Sequence, residues 1–119
     1  MKYMLLIYEN SDTREIFSGE QGRELMATLN EIMEEVTRSG ELVGTQALAD
    51  PSTAKSVRST EGSPAITDGP FAEAKEFLGG YLVLDCELER ALDVAGRWPS
   101  TGSGGIEVRP LMSGSGAEM

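Results

Sequence analysis

The chain contains no histidine. That absence excludes every Ser-His-Asp or Cys-His arrangement and every histidine-based zinc site. Cysteine occurs once, as Cys86. It cannot close an internal disulfide and reads as a small buried hydrophobe in a reducing compartment. Positive charge is scarce: 10 Lys and Arg stand against 20 Asp and Glu, a formal net charge of −10. Such a surface argues against direct nucleic-acid binding, which needs basic patches, but not against a protein partner that itself binds DNA. No apolar run approaches the ~20 residues a membrane helix needs. The opening Met1-Lys2-Tyr3-Met4-Leu5-Leu6-Ile7-Tyr8 is too short for a signal peptide and no small-residue cleavage site follows it. A cytoplasmic protein without a membrane segment is expected. Acidic residues show no recognisable metal-ligand spacing. Gly102-Ser103-Gly104-Gly105 precedes a strand, not a helix, and lacks the lysine of a phosphate loop. No metal and no cofactor is expected.

What is present suits one small α+β domain. At 119 residues, 39% hydrophobic and 25% charged, the chain can bury one core. Tyr3 to Tyr8 is a nearly continuous apolar run and reads as a central strand. Glu9 to Gly22 reads as a polar loop whose apolar pair, Ile16-Phe17, either closes as a lid or staples the helix entry. Arg23 to Ser39 is the clearest helix, with Leu25, Leu29, Ile32 and Val36 at helical spacing and Gly40 as its stop. Glu41 to Leu48 and an edge strand Lys55 to Thr60 follow, then a turn at Glu61-Gly62-Ser63 and a short strand Ala65 to Asp68. One or two helical turns are expected over Ala72 to Leu78. Gly79-Gly80 releases the strand Tyr81 to Cys86, in which Leu82, Leu84 and Cys86 share one face and Tyr81, Val83 and Asp85 the other. Leu88 to Trp98 is a second amphipathic helix ended by Pro99 and weakly capped at its start. After the flexible loop Thr101 to Gly105, Ile106 to Leu111 is the last strand. The order is a ferredoxin-like split βαβ with an inserted β-hairpin. The domain spans 1–112, and 113–119 reads as a disordered tail.

The chain turns on Thr67-Asp68-Gly69-Pro70-Phe71-Ala72-Glu73-Ala74-Lys75. Asp68 ends a strand and suits an Asx-turn, Pro70 fixes φ, and Phe71 is expected to bury its ring and pin the turn. The plainer role is a rigid turn; the sharper one adds Asp68 to a pocket at the strand end. With the opening Met1–Tyr8 strand, Gly79-Gly80-Tyr81 and Ile106-Glu107-Val108-Arg109-Pro110, this stretch resembles the YCII-related proteins, in the branch named for its DGPF motif. The resemblance runs from Met1 to about Met112. It implies a ferredoxin-like α+β fold and a dimeric α/β barrel. Some relatives are enzymes or proposed to be, and some accompany alternative sigma factors. Relatives are thought to use a His-Asp pair, which this chain cannot form.

In such a fold both helices cover one face of the sheet. Tyr81, Val83, Asp85, Glu107 and Arg109 fall on the open face, which wants covering. Homodimerisation supplies the cover and creates a half-polar cleft. There Arg109 is a candidate to hold a ligand carboxylate. Asp68, Asp85 or Glu107 is a candidate general base, Asp68 foremost as the catalytic group, and Tyr81 or Tyr8 a hydrogen-bond donor. Against this stands a purely structural role, in which Glu107 and Arg109 pair with each other or with a neighbouring strand. Two functions follow from these residues: a dimeric small-molecule-binding protein or carboxylate-based enzyme with its pocket in the dimer cleft, or an accessory protein acting through protein contacts, with a link to sigma-factor-dependent transcription.

Overall fold

The computed structural model describes residues 1–71, 74–99 and 104–113. Among the described residues six strands and three helices follow one another: β1 (Lys2–Glu9), α1 (Ser11–Ser18), α2 (Gln21–Arg38), β2 (Leu42–Ala47), β3 (Lys55–Thr60), β4 (Ser63–Asp68), β5 (Phe77–Asp85), α3 (Leu88–Arg97) and β6 (Gly105–Pro110). A 3₁₀ turn at Pro51–Thr53 precedes β3. Four strands form one antiparallel sheet in the order β2-β5-β1-β6, and β3 pairs with β4 in a separate two-stranded sheet. The protein is α+β, and this order is compatible with a ferredoxin-like fold.

The core follows from the period-two alternation of the central strands. Tyr3 and Leu5 of β1 stand opposite Leu84 and Leu82 of β5, so all four point to one face. There they meet Ile32 and Val36 of α2 and Ala91 and Val94 of α3. Val108 and Ile106 of β6 pack against the same cluster from the edge, and Cys86 joins it half-buried. The helical spacing of α2 and α3 puts one apolar stripe of each on that face.

An ion-pair network ties the helices together at the rim. Arg90 on α3 donates from Nη2 to Glu35 of α2 (2.8 Å) and from Nε to Glu41 before β2 (3.0 Å). Arg97 adds a second bond to Glu35 at 3.2 Å. These hydrogen bonds, Arg97's first and Arg90's next, lower the Glu35 pKa to about 2.

The structure corrects three local expectations. The segment 9–22 is not a plain loop. Asn10 caps α1, its Oδ1 accepting from Thr13 N at 2.8 Å, and Thr13, Ile16 and Phe17 then share one face. The corner between α1 and α2 requires Gly22, where a Cβ would lie 2.0 Å from the Phe17 carbonyl oxygen. The helical turns expected over 72–78 do not extend to their end, because Phe77 and Leu78 already belong to β5, paired with Glu9 and Tyr8. Residues 72–73 lie outside the described residues. So do 101–103 of the loop and 114–119 of the expected tail. Phe71 is not a buried anchor. Its ring is 63% exposed and lies under the Arg58 guanidinium, 4.7 Å from Cζ to the ring centre.

The turn before Phe71 is held by hydrogen bonds to the Gly69 backbone instead. Gly69 N donates to Ala54 O (2.7 Å), and Ser56 Oγ donates to Gly69 O (2.6 Å). Gly69 has φ +89, so glycine is needed there for the left-handed conformation. The β3–β4 turn places Glu61 and Gly62 both at positive φ, the pattern that matches the twist of a hairpin.

Candidate functional site

The sheet is not filled evenly on its helix-facing side. Leu82, Leu5 and Val108 make a solid row across β5, β1 and β6. One pair of residues along, the row becomes Gly80, Ile7 and Ile106, and the bulk on β5 disappears. A Cβ at Gly80 would lie 2.7 Å from the Gln46 carbonyl oxygen, so a side chain there collides with β2. At Gly79 a Cβ would lie 2.3 Å from Glu9 Cδ. The double glycine thus lets β2 close on β5 and lets the Glu9 side chain lie against the backbone of β5. Gly104 is similarly pressed against the Tyr8 carbonyl, 2.7 Å from where its Cβ would stand.

The space left over is a cavity of about 590 Å³ between this end of the sheet and the helices α1 and α2. Phe17 of α1, Met26, Leu29 and Met33 of α2, Ile7, and Trp98 after α3 supply most of its apolar wall. Both size and lining suit a small organic molecule. The methionines are flexible enough to adapt to more than one shape.

The polar end is built by Glu9 and Arg14. The first ends β1 and the second lies one turn into α1, so the Asn10 cap brings them together. Arg14 Nε stands 3.2 Å from Glu9 Oε2, and Nη1 stands 3.7 Å from Asp50 Oδ1. The guanidinium also lies 5.1 Å from the Phe77 ring centre. Arg14 Nε is buried, and among the described residues it is held by this ion pair rather than by a well-aligned hydrogen bond. Asp50 is held below the usual carboxylate range, first by the hydroxyl and backbone N–H of Ser52 and then by Arg14.

The residues singled out from the sequence divide into three places. Across the open face of the sheet the register aligns Gln46, Tyr81, Leu6 and Glu107 in one row and Gly44, Val83, Met4 and Arg109 in the next. Tyr81, Glu107 and Arg109 therefore do share a face. Among the described residues neither Glu107 nor Arg109 forms an ion pair, with each other or with a neighbouring strand. Asp85 lies at the end of that face and takes the N-terminal ammonium at 3.4 Å. Asp68 is elsewhere, on β4 of the second sheet, 85% exposed and paired with Lys55 directly across the hairpin. Tyr8 belongs to the cavity wall.

Glu9 and Arg14 were passed over in the sequence because they sit in what reads as a loop. The signals that point to them are Asn10 three residues before Thr13, a helix start, and two glycines inside a strand, a mark of close approach. Among the described residues no cluster of carboxylates and thiols stands ready to hold a metal ion. Among the described residues no helix is long and apolar enough to cross a membrane.

Two comparisons bear on identity. A model of the YCII-related domain matches residues 1–114. An uncharacterized protein of Rhizobium meliloti (strain 1021) is similar over 116 residues at 35% identity, covering 93% of this chain and 92% of that protein. The match spans the strand bearing Glu9, the helix bearing Arg14 and the double glycine alike, and on it the chain belongs to the YCII-related family.

Proposed function

We propose that this protein binds a small organic molecule, that it does so in the cavity between sheet and helices, and that it works as a homodimer. The cavity carries the reading. It is formed within a single chain, it is walled by Phe17, Met26, Leu29, Met33 and Trp98, and one charged pair marks its polar end. This moves the main site from the cleft between two sheets to the opposite face of one sheet.

The open face keeps its proposed role as the dimer surface. Met4, Leu6, Tyr81 and Val83 are half-buried there although α2 and α3 pack on the other side. A sheet face of this composition gains by burial against a second copy. In the dimer, Arg109 with Tyr81 and Glu107 would form the half-polar surface to which an exogenous carboxylate is drawn.

Trp98 is the single tryptophan and lines the cavity, so its fluorescence reports on occupancy. Phenylalkyl fragments should shift Trp98 emission and move the amide resonances of Gly79, Gly80, Gly104 and Gly105. Ala47→Phe, a bulky addition at an exposed cavity-lining position, should abolish both effects. Fragments that leave these signals untouched would overturn the reading.

A second reading, an accessory protein acting through protein contacts, draws on the β3–β4 hairpin. Val57 and Ile66 stand opposite one another there, both exposed, with Phe71 exposed beyond them. An isolated two-stranded sheet is marginal in water, and a partner would stabilise it.

A further inference from the structure

We infer that the cavity selects an uncharged ligand whose polar end offers a hydrogen-bond acceptor and donor side by side, a primary amide or a lactam on an apolar body, and that it rejects the matching carboxylate. The inference rests on the reading of the cavity as a ligand site and adds the chemistry of its occupant.

The polar end offers a donor and an acceptor side by side. Arg14 lines the cavity with its side chain 35% exposed, so the accessible part of its guanidinium can donate to a ligand acceptor. Its Nε is covered and faces Glu9 Oε2 at 3.2 Å. Glu9 lines the cavity beside it, 25% exposed, and its carboxylate can accept a ligand hydrogen bond. Its Oε1 would lie only 2.4 Å from a Cβ at position 79, so glycine at that position is what leaves the carboxylate room against β5. A ligand carbonyl serves the first group and a ligand N–H the second, and one amide carries both.

Charge then separates the amide from its acid. Glu9 and Asp50 already flank the one guanidinium. Two carboxylates against one cation leave the cavity mouth with a net negative charge, on a chain whose formal charge is −10. A ligand carboxylate would be a third anion on the same cation. It would also lack the proton that Glu9 needs to accept. Repulsion at contact distance in a partly desolvated site is worth at least about tenfold in affinity.

The test is an isosteric pair, 4-phenylbutanamide and 4-phenylbutanoate, titrated against Trp98 fluorescence and the Gly79 and Gly80 amide resonances. The amide should bind at least about tenfold more tightly than the acid anion at neutral pH. Glu9→Gln keeps the side-chain shape and removes one negative charge, so it should strengthen 4-phenylbutanoate and narrow the gap. Equal or tighter binding of 4-phenylbutanoate by the unaltered protein would overturn the inference while leaving the cavity reading standing. A gap that Glu9→Gln leaves unchanged would overturn the electrostatic argument. If neither compound perturbs Trp98 or the glycines, the cavity reading itself fails.

Discussion

Gly79 and Gly80 look interchangeable along the chain and are not so in space. A Cβ at Gly79 meets the far end of the Glu9 side chain, which can swing aside, whereas one at Gly80 meets the Gln46 carbonyl of the neighbouring strand. Gly79→Ala should therefore cost little stability while displacing Glu9 and weakening ligand binding. Gly80→Ala should destabilise by about 1–3 kcal/mol, because a backbone must move. Chemical denaturation of both variants checks the ordering; equal losses would refute it. Phe71→Ala belongs at the same scale. Among the described residues the exposed ring meets the Arg58 guanidinium, so the change should cost less than about 1 kcal/mol. A loss of several kcal/mol would mean that a partner buries Phe71. Asp68→Asn should leave the melting temperature nearly unchanged, since an exposed ion pair with Lys55 contributes at most about 1 kcal/mol. A clear drop in melting temperature would show that Asp68 does more than face Lys55.

Among the elements, α2 and α3 are held to each other by Glu35 as well as by packing. The Glu35 pKa is about 2 in the folded protein against an ordinary value of 4.5. A carboxyl with a depressed folded pKa stabilises the fold fully above its unfolded value. That contribution fades as pH falls from about 4.5 toward about 2. The melting temperature should accordingly decline across that window, and Glu35→Gln should flatten the decline while lowering the melting temperature at neutral pH. A decline of the same depth in Glu35→Gln would assign the acid sensitivity to other carboxyls. The existence of α2, α3 and the strands was legible in apolar periodicity. The helix α1 was not, because its few apolar residues were too sparse to show a stripe, and its start rests on one capping side chain.

For the whole molecule the decisive surface is the open face of the sheet. If two copies cover it, light scattering at micromolar concentration should give about twice the chain mass of 12.8 kDa. Leu6→Asp puts a charge in the middle of that face, between Tyr81 and Glu107. It should shift the protein to the monomer mass without unfolding it, since Leu6 lies on the side away from the Leu5 core. A folded wild-type monomer would remove the dimer surface but not the cavity, which one chain builds alone.

The sequence by itself determined the fold class, the family and the buried face. Period-two alternation in β1 and β5 dictates that Leu5, Leu82 and Leu84 bury together, and the spacing of Ile32 and Val36 dictates which side of α2 meets them. It also placed Tyr81, Glu107 and Arg109 on one face, because alternation assigns faces without reference to distance. Where the cavity lies was decided only by tertiary structure. A cavity is the space that side chains do not fill. Here it depends on glycines of β5 and the β6 edge lying under Phe17 and Met26, residues far apart in the chain. Arg14 likewise meets Asp50 and Phe77, both far along the chain, only in the folded protein, a packing that no local periodicity encodes.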